Sequence, residues 1–477
     1  MATTLLEELL EESQVTTSIS SYLDREQMGD AELFACRFCD RVIFDHAAKS
    51  WFIWRGNYWE RDRTGETFSL LSNRISREYW QAGLEAYKAN DQEGEKKYTA
   101  RAKALLKKRY VTDVLYLAEM QEGLKLSGDE WDANPLSLGV GNGVIDLTTG
   151  EHRPGQPTDY LRMHAPTDWL GLDQPAPRWE QFLQEAFDCE TDLINFMQRL
   201  LGYCITGLTT EHRLPILFGE GRNGKGTLLE TIAYVLGSDF THATQADSLM
   251  DTKRDGAGAQ PFVIALRGRR LVWASESKDG QRINAGLVKQ LTGGDTITTR
   301  ALYENVVTFK PSHKVMLMTN SKPHINAEDL AMWDRVLLIP FKNRFIDNPS
   351  KAGEFKQDKD LPEILKSEAS GILAWLVRGC LQWQAEGLNP PAMVIAATDE
   401  YRGEEDTLGE FISDCLIVGD GKQAQSQDIY TRYVQWAKDS GIDPMNRIAL
   451  GRKLTRRFGT PQRTARGNVY SGLGVLQ

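Results

Sequence analysis

Short apolar segments recur through the middle of the chain, separated by longer stretches in which apolar residues follow helical spacing. A brief apolar run between polar residues is typical of a buried strand. Strands that alternate with helices predict an α/β fold, with a largely parallel sheet and helices on its faces. The predicted strands are residues 214–218, 270–274, 314–319 and 336–341.

The flanking regions carry different patterns, and the 477 residues divide into three predicted domains. The first mixes helical stretches with aromatic, strand-like segments and a glycine-bounded hairpin, which indicates an α+β domain. Proline-rich breaks at 175–177 and 390–391 mark linkers. The expected domains are 1–165, 166–390 and 391–477; the aromatic segment is 51–59, the hairpin is 141–150, and one helical stretch covers 179–201.

Composition excludes several classes of protein. With 41% hydrophobic and 26% charged residues, the chain has no apolar run near the ~18 residues that a membrane span needs. Its acidic first residues do not resemble a signal peptide, and six scattered cysteines are too few for a disulfide framework. We therefore expect a protein of the host-cell cytoplasm without a membrane partner. Cys36 and Cys39 are expected to be buried on a helix rather than to bind metal.

The net charge of −10 is unevenly distributed. Residues 399–420 hold eight acidic residues and one basic residue, whereas residues 447–477 hold seven basic residues and no acidic one. A predicted helix at 96–120 is also rich in lysine and arginine. It could follow nucleic acid phosphates or form an ordinary solvated helix face.

The clearest candidate site follows the first predicted strand, where a glycine-rich loop leads into a helical stretch. Glycines let backbone N–H groups turn onto phosphates, the helix N-terminus adds positive potential, and a lysine reaches the β- and γ-phosphates. Gly226 stands where a serine or threonine commonly ligates magnesium, so Thr227 is the expected ligand. The segment predicts binding of ATP and Mg²⁺ through Gly219, Gly221, Asn223, Gly224, Lys225, Gly226 and Thr227.

Three later residues could complete an ATPase site. Glu276 follows an apolar run and could hold magnesium and polarise water, although a plain strand end is the alternative. Asn320 ends the next buried strand and could orient the attacking water. Arg335 precedes the last strand and could stabilise transition-state charge, often on the nucleotide of a neighbouring subunit, or serve as a structural ion-pair residue.

Residues 289–310 predict a β-hairpin with basic and aromatic groups close to its tip. Such a tip can grip a nucleic acid backbone by charge and stack on bases. Tyr303 lies at the predicted turn. An ordinary surface hairpin explains the pattern equally well.

Five ordered motifs together resemble superfamily 3 helicases, specifically the phage and plasmid primase-helicase family. They are G-x-x-x-N-G-K-G-T, L-V-W-A-S-E, K-x-L-T-G-G-D with a following arginine, K-V-M-L-M-T-N and D-R-V-x-x-I-P-F. Residues 142–150 and 201–207 are similar to the domain that precedes the motor in this family and in poxvirus primase-helicases.

This resemblance implies an AAA+ P-loop core, a homohexameric ring and ATP-driven unwinding of DNA. It assigns Lys225 and Thr227 to the nucleotide, Glu276 to magnesium and water, Asn320 to sensing the γ-phosphate, and Arg335 to a finger across the subunit interface. Lys289, Arg300 and the hairpin tip would contact DNA or another subunit. The implied partners are single-stranded and forked DNA, further copies of the chain and other replication proteins.

The C-terminal segment resembles the winged helix of the same family, with predicted helices at 427–440 and 446–458 and a wing strand at 468–476. Its second predicted helix is rich in arginine, including Arg452 and Arg456, and could bind DNA phosphates in a groove. The alternative is a basic lid that folds onto the acidic segment 399–420. Two other functions also stay open: a primase-helicase with an unrecognised priming site, and an ATP-switched replication initiator that does not unwind DNA.

Overall fold

The computed structural model describes residues 19–251, 261–275, 280–300, 306–440, 444–464 and 467–476. Two predicted site residues, Glu276 and Tyr303, lie outside these ranges. The described chain is a mixed α/β protein with a five-stranded parallel sheet at its centre, as the alternating apolar segments predict. Within the described ranges, no helix combines the length and apolar character that crossing a bilayer requires.

The N-terminal region packs helices against a four-stranded sheet of order β3–β2–β1–β4. The predicted aromatic segment forms a hairpin, because the chain turns between Trp54 and Trp59, which face each other across it. The strands are β1 (Val42–Asp45), β2 (Ser50–Trp54), β3 (Trp59–Arg61) and β4 (Lys125–Leu126), and the helices are α1 (Ser20–Leu23), α2 (Glu26–Phe38), α3 (Glu66–Ser69), a π-helix (Leu70–Ile75), α4 (Ser76–Lys88), α5 (Gln92–Ala104) and α6 (Lys108–Ala118).

Two expectations for this region were wrong. The single basic helix predicted at 96–120 is two helices, α5 and α6, because Lys107 takes an extended conformation between them. Cys36 and Cys39 are exposed rather than buried. The apolar face of α2, which includes Phe34 and Phe38, occupies the core and leaves both thiols on the outer side.

A small antiparallel sheet links this region to the central one. The hairpin predicted at 141–150 is wrong in its bounds: Gly143–Asp146 forms one strand, which pairs with Ser137–Val140 on one side and with His152–Arg153 on the other. The apolar residues Leu138 and Ile145 of this sheet belong to the same buried cluster as the helices beside the central sheet. The sheet comprises β5 (Ser137–Val140), β6 (Gly143–Asp146) and β7 (His152–Arg153).

All four predicted strands occur in the central sheet, which has a fifth strand at one edge. The order is β14–β8–β13–β10–β9, and every neighbouring pair is parallel. The carboxyl ends of all five strands therefore share one edge, called here the carboxyl edge, and their starts share the amino edge. The strands are β8 (Leu214–Phe218), β9 (Thr241–Gln245), β10 (Leu271–Ser275), β13 (Lys314–Thr319) and β14 (Val336–Pro340).

Helices, one short hairpin and one short pair of parallel strands surround this sheet. The helical stretch predicted at 179–201 is broken, because Asp188 and Cys189 both have positive φ angles that are incompatible with a continuous right-handed helix. The helices are α7 (Pro177–Ala186), α8 (Thr191–Cys204), α9 (Lys225–Phe240), α10 (Pro261–Ala265), α11 (Ala285–Thr292), α12 (Leu330–Trp333), α13 (Leu361–Ser367), α14 (Ala369–Glu386) and α15 (Ala392–Glu404), and the remaining strands are β11 (Ile297–Arg300), β12 (Val306–Phe309), β15 (Arg344–Ile346) and β16 (Glu354–Lys356).

The C-terminal region has its own apolar core of helices packed on a three-stranded antiparallel sheet of order β17–β19–β18. Phe411, Tyr433 and Leu454 lie at its centre. The predicted helices and final strand all occur here within one residue of the expected bounds. The elements are α16 (Thr407–Cys415), β17 (Leu416–Gln425), α17 (Ser426–Asp439), α18 (Arg447–Phe458), β18 (Gln462–Thr464) and β19 (Gly467–Val475).

Candidate nucleotide and nucleic-acid sites

The glycine-rich loop lies at the carboxyl edge, between the end of β8 at Phe218 and the start of α9 at Lys225. Gly224 precedes the helix with φ 86°, a left-handed conformation that glycine adopts without a steric penalty. A Cβ on Gly219 would lie 2.3 Å from the carbonyl oxygen of Phe341, so only glycine fits there. Gly221, by contrast, faces open space, and packing does not require glycine at that position.

Lys225 is buried within this loop and points at two neutral oxygens. Its Nζ donates to the carbonyl oxygen of Gly219 at 2.6 Å and to Oδ1 of Asn320 at 2.9 Å. Strands β8 and β13 are neighbours in register, with Phe218 opposite Thr319, and this pairing sets Asn320 beside the loop. Two residues that the sequence places 95 positions apart are thus in direct contact.

The residues of the loop fit a polyphosphate. Burial lowers the pKa of Lys225 to about 8, because the cation has lost water without gaining a carboxylate partner. The side-chain nitrogen of Asn223 is also buried and has no hydrogen-bond partner. An anionic oxygen would satisfy both donors and would lie at the N-terminus of α9, where free backbone N–H groups and the helix dipole favour negative charge.

Two aromatic residues support the loop, and sequence reasoning missed both. A Cβ on Gly224 would lie 3.1 Å from the ring of Phe182 and 3.3 Å from that of Phe345. The backbone N–H of Phe345 also donates to the carbonyl oxygen of Arg222 at 2.6 Å. These contacts fix the turn before α9. No local signal reveals them, since Phe182 and Phe345 are distant in sequence from the loop.

The expected magnesium ligands are only partly described. Thr227 lies in the first turn of α9 and is half-buried, whereas Glu276 directly follows β10 but falls outside the described residues. A Cβ on Gly226 would have no neighbour closer than Glu230 Oε1 at 4.0 Å, so packing does not explain the glycine. In the described part of the chain, no group of three or more His, Cys, Asp or Glu side chains is placed to hold a metal ion.

Arg335 lies at the opposite edge of the sheet from the glycine loop. It directly precedes β14, and its carbonyl oxygen accepts from the N–H of Leu214 at the start of β8. Because the strands are parallel, the length of β8 separates Arg335 from Gly219, about 20 Å at the usual rise per residue. Its guanidinium is half-buried and donates to Oγ1 of Thr292 at 3.1 Å and to the carbonyl of Ala331.

The predicted hairpin at 289–310 is present as β11 and β12, which pair antiparallel with Arg300 opposite Val306. Arg300 is exposed at the end of β11, and the tip with Tyr303 is outside the described residues. Lys289 lies on α11 instead, where its Nζ forms an ion pair with Asp329 at 2.6 Å. The structure therefore does not bring Lys289 and Arg300 together in one contact.

The basic face of α18 is partly engaged by the chain itself. Arg456 and Lys453 both form ion pairs with Glu328, at 3.1 and 3.5 Å. Arg457 pairs with Asp406 at 3.0 Å, within the acidic segment 399–420. Arg452 is exposed and lines, with Arg456, an open groove of about 690 Å³ beside the helix. The exposed arginines of α18 therefore support nucleic-acid binding, and its ion pair with the acidic segment supports a lid.

Two separate segments of the chain match known protein families. Residues 31–188 match the family described as "D5 N terminal like", and residues 217–335 match a family of unknown function (DUF5906). The apo structure of the C-terminal region of NrS-1 superposes with a TM-score of 0.49 at 10% sequence identity, covering 94% of this chain and 100% of that one.

Several viral proteins are similar in sequence. A candidate helicase (L207/L206) of Acanthamoeba polyphaga mimivirus is 30% identical over 65% of this chain and 34% of its own length. A candidate helicase (022R) of frog virus 3 is 25% identical over 65% and 39%, and a candidate primase (C962R) of African swine fever virus is 21% identical over 67% and 35%. The chain spans roughly a third of the length of these relatives. These matches confirm the predicted resemblance to the D5-like primase-helicases of phages and viruses.

Proposed function

We propose that this chain is an ATP-dependent DNA helicase of a phage, prophage or plasmid replicon, with an AAA+ P-loop core that works as a ring. The observation that carries the proposal is Lys225, a buried cation held between Gly219 and Asn320 at the start of a helix. A lysine, a glycine loop and a polar strand end at one edge of a parallel sheet are suited to holding a triphosphate.

The residues proposed to bind and hydrolyse ATP lie at two opposite edges of the central sheet. Lys225, Asn223 and the N-terminus of α9 would bind and orient the phosphates of ATP, and Thr227 and Glu276 would hold Mg²⁺. The metal would supply charge neutralisation between the β- and γ-phosphates. Asn320, already in contact with Lys225, would register the γ-phosphate. Arg335 lies too far away to reach its own loop, so it would act on the nucleotide of a neighbouring copy.

The C-terminal region would act as a winged-helix DNA-binding domain. Support comes from its arrangement, in which two helices, α17 and α18, pack on an antiparallel sheet that ends in the hairpin β18–β19. The exposed arginines of α18 would neutralise DNA phosphates. The hairpin β11–β12, with Arg300, would contact the strand inside the ring.

Two assays separate this function from its alternatives. Displacement of a labelled strand from a forked duplex, with ATP and Mg²⁺, is expected for the wild-type protein and not for Lys225→Ala, whereas Lys359→Ala, which changes an exposed lysine, should unwind normally. Nucleotide hydrolysis without displacement would favour an ATP-switched initiator. Templated primer synthesis by the same preparation would instead indicate a primase-helicase, an alternative favoured by the relatives that are named primases.

A further inference from the structure

One exposed surface of the N-terminal region combines aromatic, aliphatic and basic side chains. Helices α4 and α5 form an antiparallel pair, since Oγ of Ser76 donates to the carbonyl of Ala102 at 3.0 Å. On the outer side of α4, Trp80, Leu84 and Tyr87 are 40%, 55% and 65% exposed. Their spacing of four and three residues places them on one helix face.

Positive charge gathers at one end of this helix pair. Nζ of Lys103 lies 5.8 Å from the centre of the Trp80 ring, and the exposed Lys107 follows within one turn. Arg77, also exposed, lies on the same face of α4 one turn before Trp80. Because the helices are antiparallel, the acidic residues at the end of α4, in the α4–α5 connection and at the start of α5 lie at the other end of the pair: Glu85, Asp91, Glu93 and Glu95.

Two other basic residues of this helix pair, Lys97 and Arg101, have structural partners. Lys97 pairs with Glu93 at 2.9 Å, one turn earlier in the same helix. Arg101 is directed inward and pairs with the buried Asp30 at 3.0 Å. Among the described residues, Arg77, Lys103 and Lys107 form no ion pair. These three exposed cations, of which Lys103 lies beside the indole of Trp80, are therefore available to an external anion.

We propose that the surface formed by Arg77, Trp80, Leu84, Tyr87, Lys103 and Lys107 binds single-stranded nucleic acid. Unpaired bases stack on aromatic rings irrespective of sequence, and neighbouring cations follow the phosphates. A duplex does not offer its base faces, so the exposed rings favour a single strand. The inference rests on the proposed function in one respect: an unwinding enzyme generates the single strands that this surface would bind. Binding at this surface requires no ATP hydrolysis.

The test uses the full chain and an oligothymidine in which some bases are 5-bromodeoxyuridine. Photocrosslinks are expected in peptides that contain Trp80 or Tyr87. Trp80→Ala combined with Tyr87→Ala should weaken binding about tenfold or more, since stacking contributes roughly 1–3 kcal/mol per base. Lys103→Glu, which removes no aromatic group, should weaken binding and lower the salt slope by about 0.7 for each phosphate that the protein no longer neutralises.

Two control variants match these changes. Tyr116→Ala removes an aromatic ring that is 63% exposed on α6, outside the surface, and Lys97→Ala removes a lysine already paired. Both should crosslink and bind like wild type. The inference would be refuted by crosslinks confined to other segments, or by wild-type affinity of both the aromatic variant and the charge variant. It would also be refuted if these variants changed only the association of chains with one another. ATP hydrolysis is measured on the same samples, so that a loss of single-strand binding can be distinguished from a loss of the proposed motor activity.

Discussion

The two edges of the central sheet both carry buried cations, but the surroundings of those cations differ. At the carboxyl edge, Lys225 faces the glycine loop, Asn320 and an unpartnered amide. At the amino edge, Lys314 donates to the carbonyls of Thr206 and Ser312 and lies 5.1 Å from the Tyr203 ring. Burial lowers the pKa of both lysines, to about 8 and about 7. A lowered pKa alone therefore does not identify a functional lysine.

The two edges differ in the backbone that surrounds the cations. At the amino edge, the carbonyl oxygens that accept from Lys314 and the neighbouring Arg270 belong to Ser137, Ile205, Thr206 and Ser312. At the carboxyl edge, Lys225 lies beside a glycine-rich loop at the N-terminus of α9, where free backbone N–H groups are suited to an incoming phosphate. Arg335 differs from Lys314 and Arg270 at the same amino edge, because it is only half-buried.

The largest expected effect concerns the carboxyl edge. Lys225→Ala should abolish ATP hydrolysis, because it removes the buried cation that contacts both Gly219 and Asn320 and would neutralise charge on the phosphates. The chain should still fold, as judged by circular dichroism, since the change removes a charge rather than an apolar core group. Hydrolysis near the wild-type rate would show that this edge is not the nucleotide site.

The next effect tests whether the amino edge serves a neighbouring subunit. Arg335→Ala should bind ATP almost normally and hydrolyse it roughly 10³-fold more slowly, as expected for loss of an arginine finger. Arg213→Ala is the matched control, because Arg213 lies at the same edge and donates to the carbonyl of Asp334. That variant should keep most of its activity.

Mixing variants then separates a shared site from a structural role. Combining Arg335→Ala with Lys225→Ala chains should restore some hydrolysis, since one type of interface would pair an intact loop with an intact arginine. Each variant alone should remain inactive. If mixed oligomers form, as shown by differently tagged chains, and hydrolysis does not recover, Arg335 acts only through Thr292 and Ala331 in its own chain.

A smaller effect concerns the stability of the amino edge. The pKa of Lys314 is about 7 in the folded chain against an ordinary value of 10.5. Between these values the unfolded chain binds more protons, so folding becomes more favourable as pH rises from about 7, by up to about 1.4 kcal/mol per pH unit from this group. Lys314→Met should lose that contribution. Urea unfolding at pH 7 and 9 measures it, and an identical pH dependence in both proteins would contradict the assignment.

Sequence reasoning succeeded where local pattern determines structure and stopped where distant segments meet. The apolar runs and the glycine loop predicted the central sheet and the position of Lys225, because strand length and glycine conformation are local properties. The contact between Lys289 and Asp329, 40 residues apart, depends on how α11 packs against the start of α12. The sequence did not predict the burial of Lys314 either, because a lysine at the start of a strand is usually solvated.

The smallest expected effect links the amino edge to the C-terminal region. Glu328 precedes Asp329 and α12, the segment that leads to Arg335, and it holds Lys453 and Arg456 of α18. If α18 binds DNA, phosphates compete with Glu328 for these two cations. Exposed ion pairs contribute about 0–1 kcal/mol, so Glu328→Gln should tighten duplex binding by no more than about fivefold. The salt slope should also steepen, by up to about 0.9 per freed cation.

The acidic segment provides the matched comparison for this variant. Asp406→Asn releases Arg457 in the same way but leaves the contact with the segment before Arg335 intact. If α18 is a DNA-binding helix, both variants should tighten binding, and only Glu328→Gln should also change ATP hydrolysis in the absence of DNA. If α18 is instead a lid, Asp406→Asn and Glu328→Gln should raise hydrolysis while the affinity for duplex and its salt slope stay at wild-type values. Fluorescence anisotropy across a salt series, with hydrolysis measured on the same proteins, therefore distinguishes the two roles that the basic sequence of α18 left open.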